Sequence, residues 1–192
     1  RMSKGRLEAF SDGVLAIILT IMVLELKVPH EASLAALLPL APKFLSYVLS
    51  FVYIGIYWNN HHHLWQAAKG VNGPILWANM HLLFWLSLIP FVTGWMGENN
   101  FALLPVVFYG GVLWFAGLAY YILTRTLITH HGQDSILAEA LGRDTKGLWS
   151  LFFYTIAIPL AFFVPWLAAL LYVAVAIMWL IPDRRIETKL KK

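Results

Sequence analysis

Arg6, Ser11 and Asp12 crowd the mouth of the first apolar run, in the string Arg6-Leu7-Glu8-Ala9-Phe10-Ser11-Asp12-Gly13. A guanidinium and a carboxylate at the end of a membrane-length helix are costly unless paired, so they serve either to set helix register or to form part of an ion path. Deeper in the same run, Thr20 is a lone hydroxyl among branched apolar side chains. A third set is the consecutive His61, His62 and His63, just after Trp58, Asn59 and Asn60. Imidazoles invite a metal reading. On a helix, however, consecutive residues point about 100° apart and cannot converge on one ion without unwinding. His81 and Asp12 could extend the set, yet no His-Glu-x-x-His or comparable spacing occurs. No metal, cofactor or catalytic residue is therefore expected, and the chain is not expected to be an enzyme. His130 and His131 fall in a polar stretch where solvated rings are the default.

These side chains must be positioned by elements that suit a bilayer. Of the 192 residues, 60% are hydrophobic and only 12% charged, with nine Trp, and the mean hydropathy is +0.69. That is the composition of an integral membrane protein. Cysteine is absent, which removes disulfides, thiolate metal sites and a cysteine nucleophile. A spanning helix needs about 20 mostly apolar residues. Six runs qualify, over about 10–26, 42–65, 75–96, 101–128, 147–164 and 166–181. The Pro39/Pro42 stretch separates the first pair, Lys69-Gly70-Val71-Asn72-Gly73-Pro74 forms a tight turn, and Pro165 divides the last two into a hairpin. The fold class is all-α and polytopic, with residues 1–192 forming one transmembrane domain and no room for a soluble one. The first run is of spanning length and no small-residue cleavage site follows it, so no cleavable signal is expected. Arg1, ahead of Met2, reads as a cloning remnant and is set aside.

Basic residues fix the expected orientation. With six spans, Lys4 and Arg6, then Lys69, then Arg125, Arg143 and Lys146, then Arg184, Arg185, Lys189, Lys191 and Lys192 all lie on one side. Both termini are accordingly expected in the cytoplasm. The net charge of +4 needs no nucleic acid to explain it, because a basic tail is attracted to anionic lipid headgroups.

The first run sorts at helical spacing. Phe10, Gly13, Ile17, Thr20, Leu24 and Lys27 follow steps of three and four and share one stripe. Two readings of Thr20 stay open. Its hydroxyl could bond back to the carbonyl of Ala16 on an ordinary packing face. Alternatively, apolar rings at Ile17 and Leu24 narrow a water path in which Thr20 offers oxygens to a passing ion.

The string Arg6-x-x-x-Phe10-Ser11-Asp12, followed by Ile17-Ile18-Leu19-Thr20-Ile21-Met22-Val23-Leu24-Glu25, resembles the signature first helix of the transmembrane protein 175 family of potassium channels. Trp58-Asn59-Asn60-His61-His62 and Asn79 with Pro90-Phe91-Val92-Thr93 resemble the same family's later motifs. One six-helix unit is present, as in the prokaryotic members that assemble as tetramers. The resemblance implies a homotetramer in the plasma membrane of a prokaryote, passing monovalent cations, potassium above all, through a central pore lined by the first helix. Ile17 then corresponds to the narrow hydrophobic ring and gate, Thr20 to a hydroxyl layer one turn away, and Leu24 to a second apolar ring. Ile21 adjoins them. The chain has no TVGYG-like carbonyl loop, in agreement with that family's departure from other potassium channels.

Arg6 and Asp12 are six residues apart, so each needs a partner elsewhere. Asp12 is expected to accept hydrogen bonds from Trp58, His62 or Asn79 on the second and third spans, in a polar network that also holds Arg6, Phe10 and Ser11. A direct ion site at Asp12 is the alternative. A proton-coupled transporter with Asp12 and His62 as a relay is the second functional reading, although inverted repeats or broken half-helices would then be expected.

Overall fold

The computed structural model of the protein describes residues 3–132, 138 and 144–180. Among these residues the chain is helical and contains no strand. Helix α1 (Lys4–Leu24) opens at Ser3, whose side chain accepts from the Arg6 amide. Its buried residues, Leu7, Ser11, Leu15, Ile18 and Met22, run at steps of four, four, three and four, a single face. A one-turn α2 (Leu34–Leu37), capped by Ser33, leads through a 3-10 turn (Leu38–Leu40) into α3 (Ala41–Ala67). Pro39 and Pro42 occupy first-turn positions, where a missing N–H leaves no bond unmade. The expected Pro39/Pro42 loop is thus largely helical.

The third expected span is not one rod. Helix α4 (Gly73–Ser87), capped by Asn72 accepting from Ile75 N at 3.0 Å, gives way at Leu88 to α5 (Ile89–Glu98). Pro90 explains the break, since it lacks the N–H that would bond to the Leu86 carbonyl and its ring crowds that turn. Helix α6 (Leu103–His131) is followed by α7 (Thr145–Ala161), capped by Asp144, and α8 (Pro165–Leu180). Four stretches are long and apolar enough to cross a bilayer: Lys4–Leu24, Leu34–Ala67, Gly73–Glu98 and Leu103–His131. The hairpin α7–α8 has helices of 17 and 16 residues. Ile181 at the end of the sixth expected span, Arg143 and the basic tail Arg184–Lys192 lie outside the described residues.

Helix α6 is the central post. It packs on α4 and α5 on one side and on α7 and α8 on the other, while α3 runs against α5 and α8. Glycines permit two close crossings. A side chain at Gly97 would meet the Lys43 backbone 2.8 Å away, and one at Gly110 would displace the Tyr172 hydroxyl from its bond to the Val106 carbonyl. Interior hydroxyls satisfy one another: Ser50 Oγ lies 2.6 Å from Thr93 Oγ1 and 2.9 Å from the Tyr109 hydroxyl. Such pairing is obligatory where water is scarce. Helix α1 sits at the edge of this bundle, held by α3, α4 and α5 along one face.

Candidate functional site

The face of α1 that meets the bundle carries a polar clamp. At its centre is a buried chain of hydrogen bonds across three helices. Asn79 Nδ2 on α4 donates to Ser11 Oγ at 2.9 Å, and Ser11 in turn donates to the Leu7 carbonyl, also at 2.9 Å. With its amide nitrogen committed to Ser11, Asn79 presents Oδ1 to His61 Nε2 of α3 at 2.8 Å. With Asn79 Oδ1 as its acceptor, His61 carries its proton on Nε2; the Trp65 indole nitrogen lies 2.8 Å from Nε2 and 3.1 Å from Nδ1, and of the two only Nδ1 then has a lone pair to accept its proton. All donors point one way, from Trp65 to His61 to Asn79 to Ser11. Ser11, His61, Asn79 and Trp65 are all buried.

Nearer the solvent, the Trp58 indole donates to Asp12 Oδ1 at 3.1 Å. His62 meets Glu8, not Asp12: Nδ1 lies 3.2 Å from Glu8 Oε1, and Nε2 lies 2.8 Å from Gln66 Nε2. Trp58 and His62 stack with ring centroids 6.1 Å apart. At the end of α1, the Lys4 ammonium bonds the Trp65 and Ala68 carbonyls at 2.8 and 2.9 Å and so closes the C-terminus of α3. The three consecutive histidines do not converge: His61 turns inward to Asn79 and Trp65, while His62 and His63 share Gln66.

Several expectations need correction. Asn79 bonds Ser11 and His61, and His62 bonds Glu8, so of the three donors expected for Asp12 only Trp58 reaches it. Arg6 and Phe10 stand outside the network. They project from the same side of α1 as Ile17, away from Ser11, because residues 6, 10 and 17 are four and seven apart. The Arg6 side chain has no hydrogen-bond or ion-pair partner among the described residues, and with half-exposed Phe10 it borders a groove against Trp77 and Met80 of α4. His130 is exposed and His131 half-buried, but neither is left to solvent alone. His131 Nε2 accepts from the amides of Lys69 and Gly70 at 2.9 and 3.1 Å, and His130 Nδ1 lies 3.0 Å from the Asn72 amide nitrogen. They pin the end of α6 to the α3–α4 turn. Glu8, His61 and Lys4 were missed, although Glu8 lies one turn before Asp12 and was there to be read.

The opposite face of α1 is bare. Ile17 is 58% exposed, Ile21 43% and Leu24 79%, with Thr20 exposed among them. The Thr20 hydroxyl donates to the Ile17 carbonyl at 2.9 Å, one residue later than the Ala16 carbonyl expected, and keeps its lone pairs outward. Beside the stripe a wide groove opens between α1 and α5, with Ile17 and Ile21 facing Phe91 and Trp95, and Glu25 and Glu98 at its end. Arranged this way, α1 is held from behind by the clamp and presents apolar side chains and a hydroxyl on its uncovered face.

The family model described as "Endosomal/lysosomal potassium channel TMEM175" matches residues 6–90, which hold α3, α4 and all but the first two residues of α1. A protein from Chryseobacterium sp. named a potassium channel is 56% identical over 191 residues and covers all of both chains. Another potassium channel, from Chamaesiphon minutus, is 31% identical over 180 residues, 85% of this chain and 87% of that one. The crystal structure titled as a lysosomal potassium-selective channel TMEM175 homolog from Chamaesiphon minutus superposes with a TM-score of 0.80 at 28% identity, covering 93% of this chain and 96% of that chain.

Proposed function

This chain belongs to the TMEM175 family, and we propose on that premise that it is a potassium-permeable cation channel, a homotetramer whose four α1 helices line a central pore. The observation that carries the reading is the two-faced α1: a buried clamp behind, an uncovered stripe of Ile17, Thr20, Ile21 and Leu24 in front. Four such stripes around an axis place an apolar ring at Ile17, where dewetting gates the path. A layer of Thr20 oxygens replaces part of the ion's water, and a second apolar ring follows at Leu24. The groove between α1 and α5 suits a helix of the adjoining subunit. The chain carries no TVGYG-like string, so discrimination falls to side chains and is modest. The basic flanks support cytoplasmic termini in the plasma membrane of a prokaryote, with lipid around the outer helices.

Potassium flux in metal-free liposomes tests this. Passive, electrogenic potassium movement is the expected result, and cross-linking of the reconstituted protein should stop at four chains. Potassium movement locked to proton counterflow would make the protein a transporter and overturn the reading, as would absence of flux from tetramers that are otherwise intact.

A further inference from the structure

Away from α1, a small cavity lies where α3, α6, α7 and α8 meet. Its walls include Tyr57 and Asn60 of α3, Tyr120 of α6, Asp144 and Tyr154 at and within α7, and Trp179 of α8. The space open to a water molecule's centre is about 40 Å³. At roughly 10–15 Å³ for one water, that holds about three or four waters or one cation of similar size. Glycine keeps it open, since a side chain at Gly147 would run into the Asp144 carboxylate.

Asp144 Oδ1 accepts from Gly147 N at 2.9 Å, which caps α7, and no ammonium or guanidinium lies within 4.0 Å of the carboxylate among the described residues. A carboxylate in a partly desolvated site calls for a cation. The rings around it call for the same thing, because aromatic faces attract positive charge. Tyr57 and Tyr120 meet edge to face at 6.2 Å, and the Tyr57 hydroxyl has no hydrogen-bond partner among the described residues. The Tyr120 hydroxyl reaches the Asn60 carbonyl only at 3.4 Å. The protein already illustrates the attraction, with the Lys146 ammonium 5.8 Å from the Trp179 ring centroid.

A bare divalent metal ion is poorly matched, since it wants several carboxylate and carbonyl oxygens and this wall supplies one carboxylate among phenols and a hydroxyl. An anion is repelled by Asp144. We propose that this cavity is a binding site for a small alkylammonium cation, whose N–H groups donate to Asp144 and the phenol oxygens while its alkyl carbons lie against the rings of Tyr57, Tyr154 and Trp179. This site is separate from the stripe on α1.

Equilibrium dialysis of radiolabelled methylammonium against the full-length protein in detergent, at fixed potassium chloride, tests the proposal. Saturable binding of one cation per chain is expected at or below about 10 mM. Asp144→Asn keeps the helix cap and removes the charge, and should weaken binding at least tenfold with thermal unfolding unchanged. Tyr57→Leu removes a ring and should weaken it several-fold; if the Asp144 variant does not fold, this variant decides. Ile17→Asn should bind as the parent does, whether or not the pore reading stands. Absence of saturable binding, undiminished binding in Asp144→Asn, or loss of binding in Ile17→Asn would each overturn the proposal.

Discussion

Asn79→Ala is the change that should damage the clamp most. Asn79 is fully buried and makes two interhelical hydrogen bonds, donating to Ser11 and accepting from His61. Truncation leaves the His61 Nε2–H without an acceptor in a site closed to water, and an orphaned buried donor costs about 1–3 kcal/mol. The bond to Ser11 adds less, about 0.6 kcal/mol and at most about 1.7, as is usual between membrane helices. Ser11 still donates to Leu7, so it loses an incoming donor and gains no orphan. The sum is about 2–4 kcal/mol. Asp12→Asn, by contrast, perturbs a bond at the exposed rim of the clamp and should cost well under 1 kcal/mol. Reversible unfolding of the detergent-solubilised protein, followed by tryptophan fluorescence, measures both, and a Ser11→Ala/Asn79→Ala double-mutant cycle isolates the pair. The reasoning fails if Asn79→Ala stays within about 0.5 kcal/mol of the parent, or if Asp12→Asn proves the costlier change.

Ile17→Asn should wet the apolar ring, raising single-channel conductance while lowering the preference for potassium over sodium; unchanged current and selectivity would take Ile17 out of the pore. Thr20→Val removes an oxygen whose one hydrogen bond among the described residues is local, to the Ile17 carbonyl. Reversal potentials under bi-ionic conditions should therefore shift toward equal permeability with the unfolding midpoint unaltered, and an unmoved potential would leave Thr20 a packing residue. Gly97→Ala forces a methyl against the Lys43 backbone, separating α5 from α3 at a cost of about 1–3 kcal/mol. A thermal midpoint equal to the parent's would show that the crossing is looser than its geometry indicates.

Much of the helical layout was legible in the residues alone, because an apolar run of about 20 residues has only one stable form in a bilayer. That Ile17, Thr20, Ile21 and Leu24 share a side of α1 likewise follows from the 3.6-residue period, and so does the divergence of three adjacent histidines. Pro90 announced the break at Leu88, yet a hydropathy run does not register a proline that removes a single backbone bond. What periodicity cannot supply is pairing across helices. Asp12 was the conspicuous charge, but it ends at the rim of the clamp with Trp58, while the buried chain belongs to Ser11, Asn79, His61 and Trp65. Lys4 and Trp65 are 61 residues apart and meet only because α1 begins at the height where α3 ends. The destination of His62 in Glu8 and the attachment of His130 and His131 to the α3–α4 turn have the same origin. Which polar groups meet depends on the crossing angle and relative height of packed helices. Those are decided by side-chain volumes summed over whole interfaces, including the absence of one at Gly97 and Gly110, and no local stretch of residues encodes that sum.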